Sequence, residues 1–378
     1  DTYINRLVEK GYKVAICEQM EDPKQAKGIV KREVIRVVTP GTTLSAQSLD
    51  ESKNNYIMCI VCVDDTFGVS IADITTGECM VTELDKERKL LDEINKFMPA
   101  EIICNQAFLV CGIDSGDLRE RLGICINPLD DWYFDDDLCR RILMQHFHTS
   151  AIEGLGIGDY ESGTIAAGAL FQYLYETQKS DMAHMTSLTP YVTERFMLID
   201  SSSRRNLELV ETLREKQKRG SLLWVLDKTK TAMGARLLRS YVEQPLIDAG
   251  EINLRLEAVE ALGDQAMIRD EMREYLQPVY DLERLISRIS YQSANPRDLI
   301  AFKTSLEMLP FLQQLLNSFP EGLLHEINEE LDDLSDLHDL IEAAIMDEPP
   351  FAMKEGGIIK DGYNETVDNY RNAKKEGK

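Results

Sequence analysis

The 378-residue sequence predicts a multidomain protein in which mixed α/β regions precede an all-α region. Val- and Ile-rich runs of strand length, separated by turn residues, occur in residues 1–45 and 54–178. From about residue 185 onward, apolar residues recur at helical spacing instead. This length suits two or three domains of roughly 150 residues each. We therefore predict domains at 1–45, 54–178 and 185–378.

The first block, residues 1–45, combines a helix with two strands. Thr2–Gly11 has an amphipathic pattern that Gly11 ends. Lys13–Cys17 and Glu33–Val38 are strand-like, and Thr39–Thr42 is a turn signal that closes the second run. The polar connection between the strands is basic, because it contains Lys24, Lys27, Lys31 and Arg32.

Residues 54–178 predict a mixed sheet with helices packed on it, since strands come first and helices follow. An antiparallel meander is indicated by three strand-like runs, Tyr56–Val63, Gly68–Asp73 and Glu78–Thr82. A helix at Lys86–Phe97, a short strand at Glu101–Cys104 and a helix at Ser162–Gln178 are predicted after it.

The remaining residues, 185–378, predict helices. Asp248 and Glu251 form a capping box before a helix whose apolar residues recur at helical spacing: Ile252, Leu256, Val259 and Leu262. Pro296 begins another helix, whose one face carries Leu299, Phe302, Leu306, Leu309 and Leu312. The final stretch, Tyr363–Lys378, is nearly all polar, so we expect this helix to project from the domain.

The net charge of −24 argues against nucleic-acid binding unless the charge is unevenly distributed. It is uneven: Glu321–Glu348 contains eleven acidic residues and no Lys or Arg, whereas Arg204–Glu243 contains ten basic and five acidic residues. We expect the acidic zone to face away from any DNA. The eight cysteines lie mostly singly within apolar runs, which indicates reduced thiols in a cytoplasmic protein. No membrane span or signal peptide is predicted.

None of the candidate cofactor and metal motifs has the residues and spacing that its ligand requires. In Gly357–Gly362 the phosphate-loop pattern lacks its Lys and Ser/Thr, and Gly154, Gly156 and Gly158 lack nucleotide-loop spacing. Cys59 and Cys62 would face opposite sides of a strand. The remaining metal-ligand candidates, which have no apparent fourth ligand, are Cys139, His146 and His148. We predict no cofactor or metal in these residues.

Carboxylates at strand ends give an enzymatic alternative. Asp64, Asp65 and Asp73 suit the clustered carboxylates with which RNase H-like folds hold Mg²⁺ for phosphodiester cleavage. They equally suit turns, where Asp forms local hydrogen bonds. A metal-dependent nuclease therefore stays an alternative, as does a helical scaffold that docks proteins without touching DNA.

Several stretches resemble bacterial MutS proteins in that family's order. Tyr12–Thr43 resembles the second half of the mismatch-recognition domain, and residues 54–178 the connector. Phe196–Leu207 and Ser221–Leu246 resemble the core domain, and Gly356–Arg371 the lever leading toward the DNA clamp. Within Ser221–Leu246 we expect Thr231 to cap a helix and four apolar residues to be buried: Leu222, Leu223, Val225 and Leu226. The resemblance implies an RNase H-like connector and a helical core and lever domain.

This resemblance also implies a function and partners. The expected ligand is mismatched double-stranded DNA, and the longer protein is expected to be a homodimeric ATPase that uses ATP and Mg²⁺. A MutL-type partner is expected to dock through the connector. No Phe-x-Glu wedge motif precedes residue 45, and most of the clamp and the ATPase lie outside the resemblance. We therefore expect an internal fragment that lacks the first half of the mismatch domain and is not itself an enzyme.

Four basic residues of the first block are the predicted DNA contacts: Lys27, Lys31, Arg32 and Arg36. Residues at even spacing on a strand share a face, so Arg32 and Arg36 are expected to reach phosphates together. Solvated surface charge is the alternative. A second basic run, Arg214–Arg219, is expected to end a helix, where cations complement the helix dipole.

Overall fold

A computed structural model describes residues 2–21, 28–45, 48–350 and 355–376. The chain forms two compact units. The first comprises residues 1–227 and 236–245, and the second residues 228–235 and 246–378. Among the helices of the described ranges, none combines the length and apolar character needed to cross a membrane.

The elements follow the predicted progression from mixed α/β to helical structure. The strands are β1 Val14–Gln19, β2 Arg32–Val38, β3 Ile57–Val63, β4 Thr66–Asp73, β5 Glu78–Leu84, β6 Glu101–Cys104, β7 Cys125–Pro128 and β8 Thr189–Pro190. The helices up to residue 243 are α1 Thr2–Val8, α2 Glu87–Phe97, α3 Ser115–Leu122, α4 Asp136–His146, α5 Glu161–Gln178, α6 Ser201–Asn206, α7 Leu222–Leu226 and α8 Ala232–Glu243. The later helices are α9 Ala249–Asp264, α10 Ala266–Leu276, α11 Leu282–Ser290, α12 Pro296–Leu306, α13 Leu309–Leu316, α14 Leu323–Glu330, α15 Ser335–Ala344 and α16 Glu365–Glu376.

A six-stranded mixed sheet organises the first unit, in the order β7-β6-β3-β4-β5-β8. The predicted meander is confirmed, because β4 pairs antiparallel with both β3 and β5. Strands β6 and β7 extend the sheet in parallel from β3. Six consecutive residues of β3 are buried, and since neighbouring residues point to opposite faces, the sheet is covered on both sides.

Two glycines let helix α5 pack closely between the sheet and α4. A Cβ on Gly68 of β4 would lie 1.9 Å from the Ser162 carbonyl oxygen at the start of α5. A Cβ on Gly168, within α5, would lie 2.3 Å from the Cβ of Cys139 on α4. Real side chains do not approach that closely, so both positions require glycine for this packing.

Helices form the second unit, and one of them differs from prediction. The single helix expected from Pro296 to Leu312 is two helices, α12 and α13. Pro310 stands in the first turn of α13, where its missing N–H costs nothing, but within a continuous helix it would have broken a hydrogen bond. Phe302, Leu306, Leu309 and Leu312 nevertheless share one core cluster with Leu285.

The helix predicted after Asp248 is confirmed as α9, but much of its apolar face is exposed to solvent. Leu256 and Val259 are 58% and 66% exposed. Its capping residue is as predicted, since the Asp248 carboxylate accepts a hydrogen bond from the Glu251 N–H at 2.9 Å. Helical periodicity located the helix without determining what packs against it.

The chain leaves the helical core through a charged junction. The Nζ of Lys303 on α12 and of Lys360 each contact the Glu342 carboxylate, at 2.5 and 2.8 Å. These two bonds lower the pKa of Glu342 to about 2. An isolated bridge pairs Ile345 with Ile359 beside this cluster. One residue of the acidic zone Glu321–Glu348 therefore has a structural role.

Candidate nucleic-acid interface

Strands β1 and β2 form an antiparallel ribbon that carries the predicted DNA contacts. Lys31 and Arg32, at the start of β2, are exposed. The Lys31 ammonium lies 2.6 Å from the Glu33 carboxylate, and this hydrogen bond raises the pKa of Lys31. Lys27 lies outside the described residues. The ribbon therefore presents two adjacent cations near its end.

A β-bulge separates Arg32 from Arg36. Val34 pairs with Cys17 and Arg36 with Ile16, which leaves Ile35 as an extra residue on β2. An extra residue inverts the alternation of side chains beyond it. Arg32 and Arg36 therefore lie on opposite faces of the ribbon, and the expectation that they share a face is wrong.

Arg36 is directed into the protein. Its Nε donates to the Gln178 side-chain oxygen at 2.9 Å, and its Nη2 donates to the Thr42 carbonyl at 2.8 Å. Gln178, the last residue of α5, also donates to the Val37 carbonyl at 3.4 Å. These bonds tie β2 to the end of α5, so the guanidinium stabilises the ribbon's attachment.

A buried carboxylate fixes the turn that follows β2. Glu101, fully buried at the start of β6, accepts hydrogen bonds from the Thr39 hydroxyl and from the Gly41 N–H, the latter at 3.2 Å. The Tyr173 hydroxyl of α5 donates to its other oxygen at 2.7 Å. Three donors compensate the burial of the charge, which would otherwise be strongly unfavourable. Burial and the adjacent carboxylate raise the pKa of Tyr173, which keeps it a donor.

This anchor depends on a glycine and on a cation above the ring. A Cβ on Gly41 would lie 2.8 Å from the Cβ of Ile57. The Lys13 ammonium of the β1 side lies 5.5 Å from the centroid of the Tyr173 ring. The sequence prediction missed this anchor. Its visible signal was a charged residue, Glu101, heading the otherwise apolar strand Glu101–Cys104.

The core-like segment Ser221–Leu246 has the predicted cap at Thr231 and a further cap at Ser221, but not the predicted burial. The Ser221 hydroxyl accepts from the Trp224 N–H at 3.2 Å, and the Thr231 hydroxyl accepts from the Gly234 N–H at 3.0 Å. On α7 only Leu223 is buried, while the residues expected to be covered with it are 45–58% exposed: Leu222, Val225 and Leu226. A helix of five residues buries a single face, so the expectation that all four are covered is wrong.

The basic run Arg214–Arg219 does not end a helix. It lies in turns between α6 and α7. Two of its lysines form ion pairs instead, Lys216 with Glu211 at 3.1 Å and Lys218 with Asp227 at 2.5 Å.

Asp73, a candidate catalytic residue, and His146, a candidate metal ligand, have structural partners. The buried Asp73 carboxylate accepts from the Thr75 N–H and hydroxyl at 2.8 and 2.7 Å and from the Asn55 N–H at 3.0 Å. One His146 ring nitrogen lies 2.6 Å from the Tyr175 hydroxyl, and the other lies 2.7 Å from the Met185 carbonyl. In the part of the chain that the structure describes, no three His, Cys, Asp or Glu residues are grouped to hold a metal.

Comparison with known proteins gives matches along the chain. Models of MutS domain I, MutS domain II and MutS domain III match residues 1–47, 55–186 and 202–376. The chain is 59% identical over 376 residues to the DNA mismatch repair protein MutS of Lachnoclostridium phytofermentans. It is 48% and 46% identical to the proteins of that name in Ruminiclostridium cellulolyticum and Acetivibrio thermocellus.

Each of these alignments covers all of this chain but only 40–43% of the relative. Three domain models in the family's order and relatives of this similarity agree with the anchored ribbon and mixed sheet described above. The chain belongs to the MutS family of DNA mismatch repair proteins.

Proposed function

We propose that this chain forms the part of a DNA mismatch sensor that supports the mismatch-reading surface and relays its position. The observation that carries this proposal is the Glu101 anchor, which joins the ribbon to β6 and α5 through buried hydrogen bonds. A ribbon held in this way moves with the sheet domain. A displacement of the ribbon by bound DNA would therefore also displace the sheet domain.

The exposed cations Lys31 and Arg32, together with Lys27, are the proposed phosphate contacts. Phosphate contacts orient a protein on a duplex without reading its sequence. Arg36 is assigned a positioning role, because its guanidinium is bonded to Gln178 and Thr42.

The longer protein is proposed to be a homodimeric ATPase that binds mismatched DNA with ATP and Mg²⁺ and engages a MutL-type partner through residues 54–178. We propose domains at 1–45, 54–178 and 185–378 and an RNase H-like fold for the middle one. A parallel pair of strands added to a three-stranded antiparallel meander supports that fold. The turn bonds of Asp73 favour a binding role over a nuclease.

Fluorescence anisotropy with labelled duplexes at several salt concentrations tests the DNA contact. We expect weak, salt-sensitive binding with little preference for a mismatch, because no wedge motif precedes residue 45. Arg32→Ala should reduce the slope of log affinity against log salt by about one. Arg269→Ala, which removes a half-exposed arginine elsewhere, is the matched control. Equal slopes for the wild type and Arg32→Ala would refute the contact.

The gene on both sides of this chain gives an independent test of the family function. A Phe-x-Glu motif upstream and a Gly-x-x-x-x-Gly-Lys-Ser/Thr loop downstream are expected. The absence of both would contradict the proposed sensor.

A further inference from the structure

A cavity of about 430 Å³ lies within the first unit, away from the β1–β2 ribbon. Its wall includes the C-terminal end of α2, helix α6, the part of α8 from Arg236 to Glu243, and the following Gln244. A volume of this size is typical of small-molecule sites and could hold a ligand as large as a nucleoside diphosphate.

The charged side chains that line this cavity are mostly cationic, whereas the chain as a whole is acidic. Eight Lys and Arg side chains line it, against two glutamates. The whole sequence has 42 basic and 66 acidic residues, so this concentration of cations is local. A concave site lined by one sign of charge concentrates ligands of the opposite sign. The cavity therefore suits an anion.

Two adjacent arginines of α6 supply cationic groups that are not already committed to carboxylates. Lys96, Lys216 and Arg239 pair with Glu93, Glu211 and Glu243 at 2.9, 3.1 and 3.3 Å. Neither Arg204 nor Arg205 forms an ion pair with a carboxylate in the described residues. The Arg204 Nε donates to the Ile199 carbonyl at 3.1 Å, which is a neutral acceptor rather than a carboxylate.

Burial shifts the pKa values of two charged groups that line this cavity, Arg204 and Glu243. It lowers the pKa of Arg204, against the attraction of Glu243, Glu93 and Asp92. It also raises the pKa of Glu243, although Arg239 and Arg204 are near. The guanidinium of Arg204 would therefore gain from an anionic ligand, whereas the Glu243 carboxylate would oppose it.

Part of the wall is apolar. Tyr56 and Phe97 lie edge to face with ring centroids 5.3 Å apart, and Met98 and Leu122 also line the cavity. An apolar wall beside paired arginines suits a ligand that has an uncharged body and a compact charged end.

We propose that this cavity binds a small ligand with two adjacent phosphate groups, held by Arg204 and Arg205. Arginine forks bind phosphate oxygens in pairs, and two neighbouring forks suit a diphosphate better than a single carboxylate. The ligand would contact α2 and α6 together and so fix the start of the helical segment against the sheet domain. This site is separate from the proposed DNA contacts and does not depend on them.

Isothermal titration calorimetry of the 378-residue chain with pyrophosphate, without Mg²⁺ and at constant ionic strength, tests the proposal. We expect one site per chain. Arg204→Ala and Arg205→Ala should each weaken binding about tenfold or more, the usual effect of losing a charge-assisted hydrogen bond. Glu243→Gln should strengthen it several-fold, because it removes an opposing charge while leaving an oxygen for Arg239. Arg214→Ala, an exposed arginine outside the cavity, should have no effect.

Absence of binding at about 5 mM pyrophosphate would overturn the proposal, as would an equal loss in Arg205→Ala and Arg214→Ala. If Arg204→Ala does not fold, Arg205→Ala and Glu243→Gln decide the question. Displacement of pyrophosphate by a DNA duplex would assign these arginines to DNA and also overturn it. Tighter binding of ADP than of pyrophosphate would indicate that the apolar wall contacts a base. Equal binding would limit recognition to the diphosphate, and both results support the proposal.

Discussion

The Tyr173 hydroxyl donates to the buried Glu101 carboxylate at 2.7 Å, and this bond joins helix α5 to the strand that holds the ribbon. The same carboxylate accepts from Thr39 and Gly41 in the turn after β2. One charged group thus connects the ribbon, the sheet and α5. Removing any donor leaves part of a buried charge without compensation.

Tyr173→Phe should lower the free energy of unfolding of the first unit by about 1.5–3 kcal/mol, since the lost bond is to a charged group. Both tryptophans, Trp132 and Trp224, belong to that unit, so urea unfolding followed by tryptophan fluorescence reports it. Tyr370→Phe removes the hydroxyl of a residue that is 74% exposed and should change stability by less than about 0.5 kcal/mol. Equal stability of the two variants would show that the Glu101 anchor contributes nothing.

Gly168→Ala and Gly263→Ala should have opposite effects, although both glycines lie in helices. Helix propensity alone favours alanine at each position by about 1 kcal/mol. At Gly168 the new Cβ would lie 2.3 Å from Cys139, whereas at Gly263 there is no atom within 4 Å. Hydrogen–deuterium exchange resolved by peptide should show faster exchange in α4 and α5 for the first variant. For Gly263→Ala it should show slower exchange in α9. Slower exchange in α5 of Gly168→Ala would refute the close packing.

Arg32→Ala and Arg36→Ala should separate DNA binding from stability. The first should weaken duplex binding and leave urea unfolding unchanged, because its side chain is exposed. The second should destabilise the first unit, because it removes donors to Gln178 and to the Thr42 carbonyl. If Arg36→Ala instead kept its stability and reduced the slope of log affinity for DNA against log salt, Arg36 would be a phosphate contact.

Stability of the first unit should fall as the pH decreases below about 6.5, the ordinary pKa of histidine. Burial lowers the pKa of both His146 and His184. Between the folded and unfolded pKa values the unfolded chain binds more protons, so the contribution present above pH 6.5 is lost on acidification. Urea unfolding between pH 7.5 and 5.5 measures this dependence. It should weaken in the double variant His146→Gln, His184→Gln and persist in His148→Gln, whose histidine is exposed.

Local signals predicted most element positions. Strand β6 has the predicted bounds, and α5 differs from prediction by one residue at its start, because apolar pattern and turn residues determine such elements locally. Pro310 was a local signal that the prediction of one long helix ignored. The bulge at Ile35, by contrast, had no local signal in the sequence. It arises from the pairing register with β1, which no pattern within β2 contains.

Prediction of the candidate site was limited for the same reason. The exposure of Lys31 and Arg32 follows from a polar connection, but the inward course of Arg36 depends on Gln178, 142 residues away. The cavity beside α6 likewise combines residues 53–122 with residues 201–244. Tertiary packing, rather than residue type, determines which cations are available to a ligand.

The Glu101 anchor also constrains the order in which the chain folds. Thr39 lies 62 residues before Glu101, and Tyr173 lies 72 residues after it, whereas the meander β3–β5 pairs strands that are neighbours in sequence. Local pairings form sooner than those that close long loops. We therefore expect the ribbon to dock late, onto a surface that β6 and α5 have already formed, so that strands early in the sequence are among the last to become native.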